Sequence, residues 1–82
     1  MAGFEILMFA AARDLSGTDV LVVDLESPAA ASVIMNRIGE IVPAIAPMLP
    51  ACRLAVDQTF VSGDTMIECG AEVALIPPVS GG

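Results

Sequence analysis

The sequence contains no histidine, lysine, tryptophan or tyrosine, and its cationic side chains are Arg13, Arg37 and Arg53. Without histidine the commonest general base and metal ligand is missing. Ten acidic residues stand against three arginines, giving a net charge of −7. That balance argues against nucleic acid and against anionic membranes, because both are held through cationic residues that neutralise phosphates. Positive patches on a protein partner are favoured instead. Cysteine is scarce too. Cys52 and Cys69 have no C-x-x-C spacing and no histidine beside them, which is too few ligands for zinc. No metal site is expected, and the two read as free, mostly buried thiols of a cytosolic protein.

Long hydrophobic runs are also few. Ile6–Ala12 is apolar, but no Lys or Arg precedes it and Glu5 stands at its start, unlike a signal peptide. Ile41–Cys52 carries three prolines and is too short to span a bilayer. The expectation is a soluble, cytoplasmic protein. What the chain has in excess is apolar residues, 56% of 82. A chain of this length makes one domain, near the lower limit for a self-sufficient core. It cannot hide that much apolar surface within itself, so part is expected on the outside as a docking patch for a protein partner. The competing reading is a very apolar monomer rich in small alanines.

Phe4–Phe9 is rich in strand formers and reads as a first, central strand. Arg13–Asp19 reads as a polar turn and Asp19–Leu25 as a second strand, antiparallel to the first. Ser27-Pro28 looks like a helix start, with serine as the cap and proline at the first helical position. Ala30, Ile34, Ile38, Ile41 and Ile45 then recur at helical spacing, and Pro43 ends the helix near Ile41 or Val42. Ala44–Pro50 reads as an apolar connector. Arg53–Gln58 is a third strand, and Gln58–Val61 turns into a short fourth. Asp64 is placed to cap a brief helical turn at Thr65–Glu68. Gly70 releases the chain into a last strand, Ala71–Ile76. A hairpin, a crossover helix and a returning strand predict an α+β fold: a mixed sheet with one main helix packed on one face and the last strand parallel to the first. The order suggests β-grasp and leaves ferredoxin-like arrangements open.

The end of the sequence is the least ordinary stretch. Pro77-Pro78 stops the last strand, because neither residue has an N–H for a sheet ladder, and favours a stiff extended arm. Val79, Ser80, Gly81 and Gly82 follow. Pro-Pro and Gly-Gly at four fixed positions coincide by chance on the order of once in 10⁵ chains. Six residues from Pro77 reach at most about 20 Å, and a glycine tip threads a channel too narrow for any Cβ. The expected organisation is a domain over residues 1–76 with a flexible tail over 77–82 that presents one reactive group, the α-carboxylate of Gly82.

Ile76-Pro77-Pro78-Val79-Ser80-Gly81-Gly82 resembles the end of the sulfur-carrier small subunits of molybdopterin synthase, a ubiquitin-like β-grasp family. The resemblance spans nearly the whole chain. Phe9-Ala10-Ala11-Ala12-Arg13-Asp14 is similar to the family's Phe-Ala-x-x-Arg-Glu. Val56-Asp57-Gln58 is similar to its Val-Asn-Gln, and Gly70-Ala71-Glu72-Val73-Ala74 to its Gly-Asp-Glu-Val-Ala. Asp57 and Ala71 depart from that pattern, which bears on local turn hydrogen bonds.

The resemblance implies that an ATP- and Mg-dependent partner enzyme adenylates Gly82. A sulfur donor then displaces AMP to leave a glycyl thiocarboxylate, and the sulfur goes to a cyclic pyranopterin to build the dithiolene that later binds molybdenum. It implies no bound cofactor. Gly82 and Gly81 supply the reacting end, and Pro77, Pro78, Val79 and Ser80 enter the partner's channel. Acid–base groups belong to the large subunit, so this chain is a sulfur-donor subunit rather than the catalyst. The resemblance implies a heterotetramer in which two small subunits flank a large-subunit dimer. Phe9, Phe60 and Ile76 correspond to the family's docking face, where ordinary core packing is the competing reading. Arg13 is a further interface candidate, against the plainer reading of a solvated turn charge. The alternatives are a carrier for thiazole synthesis or tRNA thiolation, a ubiquitin-like protein modifier, and an interaction module with an incidental tail. The lack of lysine forbids side-chain-linked chains of a modifier with itself.

Overall fold

The computed structural model describes residues 1–78; Val79, Ser80, Gly81 and Gly82 lie outside the described residues. The elements in chain order are β1 (Ala2–Met8), α1 (Ala10–Ser16), β2 (Val20–Leu25), β3 (Ala29–Ala30), α2 (Ala31–Ile41), a 3₁₀ segment (Pro43–Ala51), β4 (Arg53–Val56), β5 (Thr59–Phe60), β6 (Met66–Ile67) and β7 (Val73–Ile76). Five strands form one sheet in the order β2-β1-β7-β4-β5, and β3 and β6 form a separate ribbon. The first and last strands lie parallel at the centre, flanked by antiparallel β2 and β4. With α2 across one side, this is a β-grasp fold, as expected.

Alternation along the strands sorts the side chains. Phe4, Ile6, Met8, Val23, Leu54, Val73 and Leu75 point inward and are buried against Ile34 and Ile38 of α2, with Ile45 from the 3₁₀ segment closing the core. Each such side chain contributes roughly 1.5–3 kcal/mol on full burial. Gly39 lets the 3₁₀ segment press close to α2: a Cβ there would stand 2.9 Å from Leu49 Cδ1. Three prolines keep that segment from continuing as an α-helix.

Several local expectations are corrected. Ala10–Ser16 is a helix rather than a polar turn. Three alanines favour it, and Gly17 ends it in the left-handed conformation (φ 73°), its N–H donating to Arg13 O at 2.8 Å. Ser27 does not cap α2. Its hydroxyl accepts from Cys69 N–H at 3.1 Å and donates to Glu68 Oε2 at 3.2 Å, fastening the chain beside the β3–β6 ribbon. The helix starts at Ala31 with no side-chain cap. Its free donors are met by backbone instead: Ala31 N–H to Thr65 O and Ser32 N–H to Gly63 O, both 2.9 Å. Met66–Ile67 is a strand where a helical turn was expected. Ile41, assigned to the apolar stripe, sits at the helix end and is exposed. Of the two thiols Cys52 is buried and Cys69 exposed.

Candidate functional site: an uncovered sheet face at the root of the tail

The face of the sheet opposite α2 is left uncovered by any element among the described residues. Strand register builds it row by row. Leu7 pairs with Val20 on one side and Ala74 on the other; Ala74 pairs with Ala55, and Ala55 with Phe60. An apolar row therefore crosses all five strands, with small alanines at its centre. One step further along the strands, Met8 opposite Leu75 sets Phe9 beside Ile76, and Ile76 faces Arg53. Leu7, Phe9, Ala55, Phe60, Ala74 and Ile76 thus line one shallow hollow of about 360 Å³, with Gln58 and Glu72 at its rim. Phe9 is 47% and Phe60 51% exposed, so both aromatic rings keep about half their surface in solvent.

The three apolar residues singled out in the sequence, Phe9, Phe60 and Ile76, are brought together on this face. Arg13 is not. It lies on α1 with its guanidinium 3.8 Å from Asp19, the solvated pair that a turn charge would make. Ile76 is the last residue of β7, so Pro77, half-buried, and Pro78, exposed, leave the domain from the edge of the apolar face. The remaining tail positions, Val79 to Gly82, fall outside the described residues.

Sequence reasoning missed Leu7, Ala55 and Ala74, although stepping by two from Phe9 and Ile76 would have found Leu7 and Ala74. It also missed Arg53. Arg53 sits two residues from Ala55 on the same face, diagonal to Phe60, and its guanidinium carbon lies 4.3 Å from the Phe60 ring centre. The opposite end of the face is acidic. The register of Ile6 and Val56 with Val73 carries Glu5, Glu72 and Asp57 into one row.

Asp57 has a structural part as well. Asp57 and Gln58 both have positive φ (48° and 69°), the two-residue turn that a tight hairpin needs. The Asp57 carboxylate accepts from Glu72 N–H at 3.1 Å, while Asp57 N–H donates to Glu72 O at 2.8 Å. Aspartate at this departure from the family pattern therefore ties the turn to Glu72 through both its backbone and its side chain.

Among the described residues no group of three potential metal ligands gathers, and no helix is long and apolar enough to cross a membrane. Burial pushes the Cys52 thiol up, and Cys52 faces the core rather than the open face. The Ser62 hydroxyl, with a backbone hydrogen bond, holds Asp64 below its ordinary value in the turn before β6. What the described residues offer is an apolar surface with charged ends, contiguous with the root of the tail.

Comparison with known proteins bears on the family and the fold. The model of the ThiS family matches residues 6–82. The molybdopterin synthase sulfur carrier subunit of Dictyostelium discoideum is 37% identical over 82 residues, covering 96% of this chain and 95% of that one. Its counterpart in Escherichia coli is 35% identical over 79 residues, covering 95% and 98%. Among solved structures, a putative molybdopterin converting factor subunit 1 from Pyrococcus furiosus superposes with a TM-score of 0.83 at 22% identity, covering 96% of this chain and all of that one. Small archaeal modifier protein 1 of Haloferax volcanii superposes equally well, at 0.83 and 20% identity, again covering 96% and 100%. At such identities these two speak for the fold alone.

Proposed function

The chain belongs to the ThiS family, and from that footing we propose that it is the sulfur carrier subunit of a molybdopterin synthase. The observation that carries the reading is a junction: the apolar face of Phe9, Phe60 and Ile76 ends at the residue that precedes Pro77 and Pro78. A protein docked on that face receives the arm at its own surface. Relatives that carry sulfur for molybdopterin synthase, similar over nearly their full length, support the same assignment.

The chemistry follows from the terminal group. An ordinary α-carboxyl is a carboxylate at neutral pH, and a carboxylate is a poor electrophile. An activating enzyme using ATP and Mg transfers AMP to it and releases pyrophosphate. A sulfide-level nucleophile then attacks the carbonyl carbon and expels AMP; the resulting thiocarboxylate bonds through its sulfur to the pyranopterin in the large subunit's pocket, and water cleaves the acyl–sulfur bond, returning the Gly82 carboxylate. This chain supplies the arm and the docking face; the partners supply bases, nucleotide and substrate pocket. Both partners are protein, the setting is cytoplasmic, and the carrier binds no cofactor of its own.

Intact mass, genetic rescue and the recovery of adducts from cells test this. Incubation with ATP, Mg, a sulfur donor and an activating enzyme is expected to exchange one oxygen for sulfur in the intact mass. Deleting Gly81 and Gly82 is expected to abolish the exchange without unfolding the domain. The wild-type chain is also expected to restore molybdopterin synthesis in a strain lacking the synthase small subunit. Isopeptide-linked adducts recovered from cells, with no sulfur exchange, would turn the assignment towards a protein modifier.

A further inference from the structure

The chain has three cationic side chains, and the structure disposes of them differently. Arg37 Nη1 lies 3.0 Å from Glu40, and Arg13 lies 3.8 Å from Asp19. Among the described residues no acidic side chain lies within 4.0 Å of Arg53. In a protein of net charge −7, this cation is held on the open apolar face, over the Phe60 ring and opposite Ile76 in the strand register. A guanidinium held over an aromatic ring still has N–H donors to offer, and a carboxylate can take two of them at once.

The opposite end of the same face carries Glu5 and Glu72, with Asp57 bonded to the Glu72 backbone in the adjoining turn, all three exposed. Arg53 and Asp57 are four residues apart along the chain, about 13 Å at strand spacing. The face is therefore polarised along the strand direction, with a cation at the root of the tail and anions at the far end. Hydrophobic attraction has no direction. A shallow apolar surface would accept a partner turned by half a revolution, which would aim the tail away from its channel. Charges of opposite sign at the two ends remove that ambiguity, because the reversed docking sets like charges against each other.

We propose that Arg53 is a specificity-determining anchor of the docking face, seating a carboxylate of the partner protein beside the mouth of the channel that takes the tail, while basic groups of the partner meet Glu5, Asp57 and Glu72. The inference rests on the docking-face reading given above and extends it to the chemistry of the partner: an apolar patch, acidic near its channel and basic at the opposite edge.

The test uses the full-length chain and the purified large subunit of the synthase from the same organism, with affinity read by titration calorimetry and folding by circular dichroism. Arg53→Glu is expected to weaken binding about tenfold or more. Glu72→Arg is expected to weaken it as well. The sign for Arg53 is diagnostic: were the attraction only that of an acidic carrier for a basic partner, Arg53→Glu would bind more tightly than wild type, because it makes the carrier more acidic. Binding of Arg53→Glu as tight as wild type, or tighter, overturns the proposal. Phe9→Asp separates the two levels. If it loses affinity while Arg53→Glu does not, only the anchor is wrong; if it too binds like wild type, the docking face itself is wrong and the anchor falls with it.

Discussion

The two faces of the central sheet are both apolar, yet they differ in how their side chains are sized and covered. The inner face carries Phe4, Ile6, Met8, Leu54, Val73 and Leu75, sealed by α2 and the 3₁₀ segment. The outer face sets alanines at its centre and aromatics at its margin. Large interlocking side chains suit a permanent interior. A flat middle ringed by exposed Phe9 and Phe60 suits a surface that meets another protein. The excess of apolar residues thus divides into one share that holds the domain together and another that is available to a partner. Adjacent residues on β7 illustrate the division, since Leu75 is fully buried inside and Ile76 lies outside at the base of the tail.

Substitutions can break or sharpen that contrast. The largest effect is expected inside: Leu75→Ala should cost about 2–5 kcal/mol of stability, measured by urea denaturation, and should affect partner binding only through loss of folded protein. Outside, Phe60→Ala should leave the denaturation midpoint nearly in place and weaken binding to the large subunit by about 2 kcal/mol, roughly thirtyfold. If the midpoint fell as far as it does for Leu75→Ala, the outer face would belong to the core. Gly17→Ala belongs to neither face. A Cβ there meets nothing within 4 Å, so the expected loss of about 1 kcal/mol comes from the left-handed backbone alone, with affinity unchanged. The smallest effect is expected for Glu40→Gln, which removes the exposed pair with Arg37 and should cost about 0.5 kcal/mol or less.

How much of this was legible in the sequence depended on the range of the interactions that fix each feature. Period-two alternation and helical spacing are local, so the main strands and α2 could be read, and a hairpin followed by a helix and a returning strand pointed to the β-grasp sheet. The helix start could not be read in the same way. The donors of Ala31 and Ser32 are satisfied by carbonyls of Gly63 and Thr65, thirty or so positions away, while Ser27 and Pro28 offered a plausible local cap that the fold does not use. The ribbon of β3 and β6 has two residues in each strand, too few for any periodicity. Helix α1 was obscured by Arg13, Asp14 and Ser16, which look like turn residues, although the preceding alanines and Gly17 carried the helical signal. At the site, Phe9, Phe60 and Ile76 came from the resemblance to a family docking face rather than from any local pattern. Arg53 was not legible, because its place over Phe60 depends on the register of β4 against β5, which no single strand encodes.

The account turns on whether the outer face serves a partner while the inner face serves the fold. The most direct test is to titrate Ile76→Asp into the large subunit and to record a melting curve on the same preparation. The expected result is binding weakened by about 100-fold or more with the melting temperature of the wild-type chain. Undiminished affinity, or an affinity lost only in step with unfolding, would contradict it.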